Sequence, residues 1–540
     1  MRNLENTFAN PDAVANPGYQ APHRFLIMGL GESGVAMVKW CLRNGAAVRL
    51  VDTRDQSKFT ERQLAWLEEL RVAGLSDIQF GPLEDELLTD IDVIGISPGL
   101  SPIQEPTESF LIKARKARID VWSEIEFFAR AIAALSRMAQ ATESSYASTV
   151  LAVTGTNGKT TTTALTGQLC ERAGKKVAVA GNISPAALDK LMSCLDGADQ
   201  IEDMPEIWVL ELSSFQLVHT YSLNATAAAV LNITQDHLDW HGDMSAYAQA
   251  KSQIFGSNTI CILNRDDALV VNLIPEDQKV DRSIVTFGSS RPDEQGAFGI
   301  EHDLRAGGID WLVWAELAEE LDSTSKRRRK SAVIEESEPL RLKRLIPADA
   351  LRIRGRHNAL NALAALALAR SADLPMNVLL HGLRDYHGEP HRVQSIAIHN
   401  DVEYVDDSKG TNVGATVAAL NGLGSNEADK RIWLIAGGDG KGQDFSPLRE
   451  PALRFVKGVF LIGKDGEKIA EVIGKDIPCT ISGDLPSAVQ AAAAQAVSGD
   501  LVLLSPACAS LDQFHDYKER AQVFTSEVEE LGMRFEGVRV

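Results

Sequence analysis

A glycine-bounded turn that follows a short apolar run constrains the fold more than any other feature of this chain. Residues 150–153 (VLAV) predict a buried strand, and the segment after the turn is compatible with a helix. Glycines let backbone N–H groups converge on an anion at a helix N-terminus, where a lysine adds positive charge. The sequence therefore predicts an α/β domain with a nucleotide-phosphate loop formed by Gly155, Thr156, Asn157, Gly158, Lys159, Thr160 and Thr161.

The spacing of this loop is shorter than usual. Two residues separate Gly155 from Gly158-Lys159, whereas the common phosphate loop has four. A Gly-Asn turn that merely joins a strand to a helix is the alternative. We favour a nucleoside-triphosphate site, because Thr160 directly follows the lysine, at the position where such loops place the hydroxyl that binds Mg²⁺.

Charge and composition exclude some classes of function. The chain has 540 residues, enough for three or four domains, and a formal net charge of −20, which argues against a general affinity for nucleic acid or anionic membranes. Exposed charges beyond about 8–10 Å are largely screened, so an anionic nucleotide needs cations of its own. The chain supplies them locally, together with Mg²⁺, as Lys159, Arg392, Lys409 and Lys441.

The sequence also indicates a cytoplasmic protein. Six scattered cysteines form no CxxC pair, which favours a reducing compartment over a disulfide or zinc framework. No apolar run approaches the roughly 20 residues of a membrane span. Residues 1–23 lack the apolar core of a signal peptide and are predicted to form a flexible tail.

Residues 24–130 predict a first, Rossmann-like α/β domain. A short strand is followed by GLGESG (residues 29–34), a helix and a second strand that ends at Asp52, the arrangement of a nucleotide-binding half-domain. A third strand ends in Ser97-Pro98-Gly99. These residues do not decide between NAD and another nucleotide.

Two further α/β domains are expected downstream. Residues 131–148, rich in Ala and Ser, are predicted to be a helix end and a linker, residues 149–394 a central ATP-binding domain, and residues 395–540 a C-terminal domain. Within the central domain, residues 290–345 are predicted to be a surface insertion. Its basic stretch 323–330 could suggest a nucleic-acid tail, but the adjacent glutamates favour a solvated insertion.

Polar residues follow the predicted strands, where an α/β sheet presents its ligands. Glu211 is placed like a Walker-B acid beside the phosphate loop and predicts a metal ligand, although a solvated acid at a strand end is the plain alternative. His237 is flanked by acids at the next strand end. Lys251 shares a helix face with Tyr247, and a lysine there is costly to bury unless it is paired or modified. Asn361 shares a helix face with Asn358, which suits adenine or ribose recognition, whereas capping alone would also explain Asn358.

Ten ordered segments resemble the Mur ligase family. They cover residues 24–535, and the short loop spacing is the form that this family uses. The segments are GTNGKTT, GNISP, ELSSFQL, NITQDHLDWH, YAQAK, GRHNALNALAA, PHRV, DDSKGTNVGAT, GGDGKGQDF and LSPACASLDQF.

The resemblance implies three α/β domains and an ATP-dependent amide ligase of bacterial peptidoglycan precursor synthesis. The motifs of the last domain are most similar to those of members that add D-glutamate to UDP-N-acetylmuramoyl-L-alanine through an acyl phosphate. Two Mg²⁺ ions and a bacterial source are implied as well. From composition and charge we expect a cytoplasmic protein with no nucleic-acid partner, and we also expect a monomer. A member that adds a different amino acid is the alternative within the family.

The resemblance also assigns roles to residues. The catalytic group is Lys159, His237, Lys251 and Lys409, with Lys251 carbamylated, and the metal ligands are Thr160, Glu211, His237 and carbamylated Lys251. ATP contacts beyond the phosphate loop are Asn361, Arg392 and Asp407. The UDP-substrate contacts are Gly31, Glu32, Ser33, Asp52, Thr53, Arg54, Ser97, Pro98, Gly99, Asn182 and His237. The D-glutamate contacts are Thr411, Lys441, Ser510, Leu511 and Tyr517.

Some features depart from the family pattern or leave other classes open. GNISP lacks a residue that the family often has before the proline, and Tyr517 stands where phenylalanine is commoner. Folylpolyglutamate synthase shares the last two domains but lacks the first. An NAD-dependent oxidoreductase fused to an ATPase would bind NADH, which fluorescence can test. A non-catalytic scaffold would leave the DSKGTN and GGDGK clusters without a role.

Overall fold

The computed structural model describes residues 24–304, 308–317, 340–424 and 431–537. The predicted tail, residues 1–23, lies outside the described residues, as do residues 305–307 and 318–339 of the predicted insertion. Within the described ranges the strands form three sheets, and the predicted three-part α/β architecture is confirmed. No helix in these ranges is both long and apolar enough to cross a membrane.

The N-terminal sheet has five parallel strands in the order β3-β2-β1-β4-β5. Its central strand is buried from Phe25 to Met28, as expected for a sheet covered by helices on both faces. The strands are β1 (Arg24–Met28), β2 (Ala47–Asp52), β3 (Asp77–Phe80), β4 (Val93–Ile96) and β5 (Asp120–Trp122). The helices are α1 (Glu32–Arg43), α2 (Glu61–Val72), α3 (Thr107–Lys116) and α4 (Glu124–Ala141).

The central sheet has nine strands in the order β14-β13-β12-β11-β10-β9-β6-β8-β7. Its strands are β6 (Thr149–Thr154), β7 (Val177–Gly181), β8 (Ile207–Glu211), β9 (Ala227–Val230), β10 (Ile260–Asn264), β11 (Ile284–Phe287), β12 (Phe298–Asp303), β13 (Ile309–Leu317) and β14 (Leu340–Pro347). Its helices are α5 (Lys159–Arg172), α6 (Ala187–Gly197), α7 (Ser214–Leu217), α8 (Leu238–His241), α9 (Met244–Ser252), α10 (Ala268–Val271), α11 (Glu276–Lys279), α12 (Arg356–Ser371) and α13 (Met376–Asp385).

The C-terminal sheet is parallel except for its first, antiparallel edge strand, in the order β15-β16-β20-β17-β18-β19. Neighbouring residues along its strands belong to cores on opposite faces, as Leu434 and Ile435 do. The strands are β15 (Gln394–His399), β16 (Val402–Asp406), β17 (Ile432–Gly437), β18 (Val456–Ile462), β19 (Cys479–Gly483) and β20 (Leu501–Leu504). The helices are α14 (Val413–Leu423), α15 (Arg449–Phe455), α16 (Gly466–Ile473), α17 (Leu485–Gln495) and α18 (Tyr517–Gly537).

The described part of residues 290–345 belongs to the central sheet, a position that the prediction of a surface insertion did not anticipate. Strands β12, β13 and β14 pair antiparallel and extend the sheet past β11. Phe298, Ile300 and Leu312 are buried in the same core as the phosphate-loop strand. The charged stretch between β13 and β14 dominated the sequence pattern and hid the apolar alternation of its flanks.

Helix α4 joins the first two domains, so the predicted boundary between residues 130 and 131 falls inside a helix. Ile132, Leu135 and Ala139, within the predicted linker, are buried in a core that continues from the first sheet into one face of the central sheet. Phe128 packs edge-on against Trp208 of β8, with ring centroids 5.2 Å apart. Alanine favours helix, and the apolar stripe of α4 gives that helix a surface to bury.

A buried carboxylate reinforces this interface. Glu126 on α4 is fully buried and accepts hydrogen bonds from the backbone N–H groups of Tyr221 and Ser222 at 2.7 and 2.8 Å. The Ser222 hydroxyl donates to it at 2.9 Å and the Arg130 guanidinium at 2.7 Å. Arg130 also lies 3.8 Å from the ring centroid of Trp122. One side chain thus satisfies donors from both domains.

We expect Glu126→Ala to lower the free energy of unfolding by about 3–5 kcal/mol, because it leaves a buried cation and two backbone donors unpaired. Urea denaturation followed by circular dichroism measures this change. Glu68→Ala, at a solvent-exposed ion pair with Arg71, is the control and should cost no more than about 0.5 kcal/mol. Equal effects of the two substitutions would contradict the assigned role of Glu126.

Candidate active site

The turn between β6 and α5 has the geometry of an anion-binding loop. Gly155 and Gly158 have φ of +152° and +84°, values that favour glycine. A Cβ on Gly155 would lie 3.0 Å from the Cβ of Leu231. The N-terminus of α5 has no side-chain cap, so its free N–H groups are available to a phosphate.

Two lysines bind the same backbone oxygen of this loop. The Nζ atoms of Lys159 and Lys251 each donate to the carbonyl oxygen of Gly155 at 2.9 Å, and Lys159 donates also to that of Thr156 at 2.9 Å. Burial lowers the pKa of Lys159, and it lowers the pKa of Lys251 well below the usual value, an effect that the charge of Lys159 adds to. Lys251 is only 1% exposed. This concentration of positive charge is suited to an anion.

Glu211 provides an unpaired acceptor beside the loop. It ends β8 in register with Val153 of the loop strand, as the sequence predicted. Its Oε1 accepts from the Asn182 amide at 2.7 Å, whereas its buried Oε2 has no hydrogen-bond partner. A carboxylate oxygen with no partner next to a hydroxyl-bearing phosphate loop fits a Mg²⁺ ion. Among the described residues no group of three or more His, Cys, Asp or Glu side chains is poised to hold a metal, so the remaining ligands must be phosphate, water or hydroxyl.

His237 lies at the entrance to α8 with φ of +54°. Its Nε2 is 3.5 Å from a carboxylate oxygen of Asp236, and its ring packs edge-on against Phe215 at 4.8 Å. Burial lowers its pKa from the usual 6.5, helped by the charges of Lys441 and Lys159 and opposed by Asp236. Two lysines from different domains therefore lower the pKa of the same imidazole.

A cavity of about 190 Å³ lies between the central and C-terminal domains. The Arg392 guanidinium crosses it and donates to the hydroxyl of Thr160 at 2.7 Å. Asn361 donates to Asn358 at 3.1 Å, and Asn358 donates to the carbonyl of Arg354. The cavity is lined by seven of the residues assigned to ATP or catalysis, namely Asn157, Gly158, Thr161, Asn361, Arg392, Asp407 and Lys409.

The floor of this cavity carries a buried acid and a lysine. Burial raises the pKa of Asp407 to about 7, although the Ser505 hydroxyl donates to it at 2.7 Å. Burial likewise lowers the pKa of Lys409 to about 8, and the charge of Arg392 adds to this effect. The Lys409 ammonium lies 3.9 Å from the ring centroid of Tyr517, which gives the tyrosine at this position a contact of its own.

A second cavity, of about 490 Å³, opens at the carboxyl edge of the N-terminal sheet. Asp52 accepts from the backbone N–H of Leu30 at 2.7 Å and from the Arg54 side chain at 2.7 and 2.8 Å. Burial opposes ionisation of Asp52, yet these bonds together hold its pKa below the usual value. Nine predicted substrate contacts line the cavity, namely Gly31, Glu32, Ser33, Asp52, Thr53, Arg54, Ser97, Pro98 and Gly99.

Four of the residues assigned to D-glutamate lie on C-terminal loops, two of which a buried arginine connects, and the fifth, Tyr517, begins α18. Lys441 has φ of +50°, Ser510 is buried, and Leu511 is 69% exposed. Arg520 on α18 donates to the carbonyls of Ser408 and Cys508, at 2.8 and 3.2 Å. Sequence reasoning missed Arg520, because an arginine in a charged helix gives no sign of being fully buried. Thr411 follows Lys409 in the same loop.

Comparison with known proteins gives a family for this arrangement. Three family models match the chain in order, "MurD-like, N-terminal domain" over residues 23–122, "Mur ligase middle domain" over residues 153–369 and "Mur ligase, glutamate ligase domain" over residues 391–508. The chain therefore belongs to the Mur ligase family and is an ATP-dependent ligase.

Individual relatives agree with this assignment. The UDP-N-acetylmuramoylalanine–D-glutamate ligase of Cupriavidus pinatubonensis is 53% identical over 522 residues, 95% of this chain and 98% of its own length. That of Cupriavidus metallidurans is 54% identical over 523 residues, with the same coverage. Among solved structures, MurF from Acinetobacter baumannii has a TM-score of 0.54 at 16% identity and covers 97% of this chain and 99% of its own. MurF from Thermotoga maritima in complex with ADP also has a TM-score of 0.54, at 17% identity, and covers 94% of this chain and 95% of its own.

We expect Asp407→Asn to change how stability depends on pH in the absence of ligands. The folded-state pKa of about 7 exceeds the value of about 3.9 in an unfolded chain, so the carboxyl group stabilises the fold below pH 4 and loses this contribution as pH rises through 7. Asparagine does not titrate. The free energy of unfolding of the wild type should therefore fall by about 2 kcal/mol, relative to that of Asp407→Asn, between pH 5 and pH 8.

Urea unfolding at several pH values measures this difference. Asp439→Asn is the control, because this aspartate lies on a neighbouring C-terminal loop and is paired with Lys464 at 3.4 Å near the surface. Parallel pH profiles for wild type and Asp407→Asn would contradict the prediction.

Proposed function

We propose that this chain joins D-glutamate to UDP-N-acetylmuramoyl-L-alanine with hydrolysis of ATP to ADP and phosphate. Two relatives above 50% identity and nearly full length have names that state this substrate pair. The observation that supports it best is geometric, since seven residues assigned to ATP or catalysis line one cavity between the central and C-terminal domains and nine predicted substrate contacts line a second cavity at the N-terminal sheet. We also propose that it works as a monomer in the bacterial cytoplasm.

The first chemical step requires two anions to meet. A carboxylate oxygen of the UDP-linked alanine attacks the γ-phosphorus of ATP, the bond to the β,γ-bridging oxygen breaks, and an acyl phosphate and ADP result. In our proposal Lys159 and the N–H groups of the loop hold the phosphates, and Arg392 and Lys409 lie on the opposite wall of the cavity. Fixed positive charge opposes the repulsion and aligns the reactants.

The second step forms the amide bond. The amine of D-glutamate attacks the acyl carbon, a tetrahedral intermediate forms, and phosphate leaves with the C–O bond electrons while the amine loses a proton. Lys441 and Ser510 are proposed to hold the carboxylates of D-glutamate. Leu511 and Thr411 would border the same pocket, and Tyr517 would close its edge.

Mg²⁺ fits the site, and we propose two ions, the first at Thr160 and Glu211 and the second at His237 and the modified Lys251. The unpaired buried Oε2 of Glu211 supports the first position. When bound, the ions would neutralise phosphate charge and polarise the transferred group. The residues themselves orient ATP, and burial favours the neutral imidazole of His237.

We further propose that Lys251 is carbamylated. Burial lowers its pKa and so favours the neutral amine, the form that attacks CO₂, and the new N–C bond forms with loss of a proton from nitrogen. The product is an anion beside Lys159, so the Lys251 side chain gains an attraction to the ammonium with which it shares the oxygen of Gly155. The modification thereby removes the cost of a buried, incompletely paired lysine.

Phosphate release tests the proposed reaction. With ATP, Mg²⁺ and UDP-N-acetylmuramoyl-L-alanine, release should require D-glutamate and fail with L-glutamate, L-alanine and diamino acids. Lys159→Ala should reduce kcat by about 10³-fold or more, because a preorganised phosphate contact is lost. Lys176→Ala, at an exposed lysine of the same domain, is the matched control and should leave kcat unchanged.

If another amino acid in this panel is preferred, that amino acid replaces D-glutamate as the proposed substrate, and the assignment to the ligase class stands. Release of phosphate without any amino acid, at a rate equal to the full reaction, would contradict the ligase mechanism itself.

Carbamylation is tested by ¹³C NMR of the protein in ¹³C-bicarbonate. We expect one carbamate signal in the wild type that is absent from Lys251→Met, because only the neutral form of an amine reacts with CO₂ and burial favours that form at Lys251. Lys176→Met is the control and should keep the signal. An identical spectrum for Lys251→Met would contradict the modification at this residue.

A further inference from the structure

The central and C-terminal domains meet at three polar side chains, which we call the amide junction: Asn157 of the phosphate loop, Asp236 beside His237, and Asn412 at the start of α14. The amides of Asn157 and Asn412 are paired reciprocally, with N···O distances of 3.2 and 3.1 Å. The same Asn412 nitrogen donates to a carboxylate oxygen of Asp236 at 3.2 Å. One C-terminal side chain therefore contacts two loops of the central domain.

Asn412 also begins its own helix. Its Oδ1 accepts from the backbone N–H of Ala415 at 2.9 Å, as an N-cap does. The side chain is 4% exposed. Capping alone would use the oxygen and leave the nitrogen in water, where serine or aspartate serves equally well. A helix cap does not explain the two additional hydrogen bonds that the amide nitrogen of Asn412 donates.

A glycine lets the two domains approach at this point. A Cβ on Gly414 would lie 3.1 Å from the Thr234 hydroxyl and 3.2 Å from the Asn157 amide nitrogen, tighter than an ordinary contact. Further along α14, a Cβ on Gly422 would lie 2.8 Å from the His357 ring. The side of α14 that faces the central domain is therefore shaped for close contact there, independently of the hydrogen bonds.

The amide junction connects three loops that have different roles in the proposed function. Asn157 belongs to the phosphate loop, Asp236 precedes the proposed metal ligand His237, and Asn412 follows Thr411 of the proposed D-glutamate pocket. A hydrogen bond from Asn412 to each loop fixes the position of Thr411 relative to both. The position of the amino-acid pocket then depends on the geometry of the loop that holds ATP.

We propose that Asn412 is a positioning residue that holds the amino-acid loop of the C-terminal domain over the ATP loop in the closed enzyme. This inference rests on the proposed function for its substrates. Asn412 touches none of the reacting atoms. Its contribution is to D-glutamate binding and domain closure, and the UDP-linked substrate, most of whose proposed contacts lie on the N-terminal domain, does not depend on it.

The variant Asn412→Asp tests the hydrogen bonds of the amide junction separately from the helix cap. Aspartate caps helices as well as asparagine does, but it cannot donate to Asp236 and places two carboxylates together. We expect the KM for D-glutamate to rise about tenfold or more, with the Kd for UDP-N-acetylmuramoyl-L-alanine unchanged within twofold. Small-angle scattering should show compaction of the wild type with an ATP analogue and the UDP substrate, and less compaction of the variant.

Two further variants distinguish positioning from folding. The double variant Asp236→Asn with Asn412→Asp restores an amide–carboxylate pair with exchanged partners, and should recover compaction and part of the D-glutamate affinity lost in Asn412→Asp. Gly414→Ala keeps every polar group but crowds Asn157 and Thr234, so it should also raise the KM for D-glutamate. Thermal midpoints of all variants show whether the fold is intact.

The inference is overturned if Asn412→Asp folds, closes to the wild-type dimensions and keeps the wild-type KM for D-glutamate. It is overturned equally if the double variant closes no better than Asn412→Asp alone. A wild type that compacts with an ATP analogue but never uses D-glutamate would instead refute the proposed function, while the scattering comparison would still test the junction.

Discussion

The sharing of one carbonyl oxygen, that of Gly155, by the ammonium groups of Lys159 and Lys251 is the constraint on which the site depends. Two cations at this separation are stable only if at least one is neutral or an anion lies between them. The depressed pKa of Lys251 meets the first condition in the free protein. A nucleotide phosphate, or a carbamate on Lys251, would meet the second. A bound anion would therefore stabilise the charged forms of both lysines, in a chain whose net charge of −20 would otherwise repel nucleotides.

The three domains are attached to one another by different forces. Helix α4 continues the apolar core of the first sheet into the central one, with Glu126 satisfying donors across the boundary, so separating these domains would expose buried apolar surface. The C-terminal domain is tied to the phosphate loop by polar contacts such as Arg392 to Thr160 and the amide junction. Net contributions of such bonds are about 0.5–1.5 kcal/mol each. The C-terminal domain is therefore the one whose position ligands can change.

Much of this arrangement could be predicted from the sequence, because local patterns determine it. Strand ends place Glu211 beside the phosphate loop and bring Asp52 to a cavity edge, and parallel strands put such residues on one side of a sheet. Long-range burial could not be predicted. Arg520 and Asn412 act through contacts more than 80 residues away in sequence, and strands β12–β14 were concealed by the charged stretch between them. The sequence predicts a helix end after residue 130, but the length of α4, which continues to Ala141, depends on an apolar partner surface that only the fold supplies.

The contact between Arg392 and Thr160 shows how binding and closure are linked. The guanidinium lies 2.7 Å from that hydroxyl and has the position and charge to bind a phosphate. In this arrangement it also occupies the Thr160 hydroxyl, which is a proposed ligand of Mg²⁺. With ATP bound, Arg392 would donate to a phosphate oxygen in place of the Thr160 hydroxyl, and the phosphate is a charged and stronger acceptor. Because Arg392 lies in the segment that leads into β15, this exchange would hold the C-terminal domain against bound ATP. The nucleotide would then favour the closed arrangement over an open one by differential binding, and the amide junction fixes the position of the C-terminal domain in the closed arrangement.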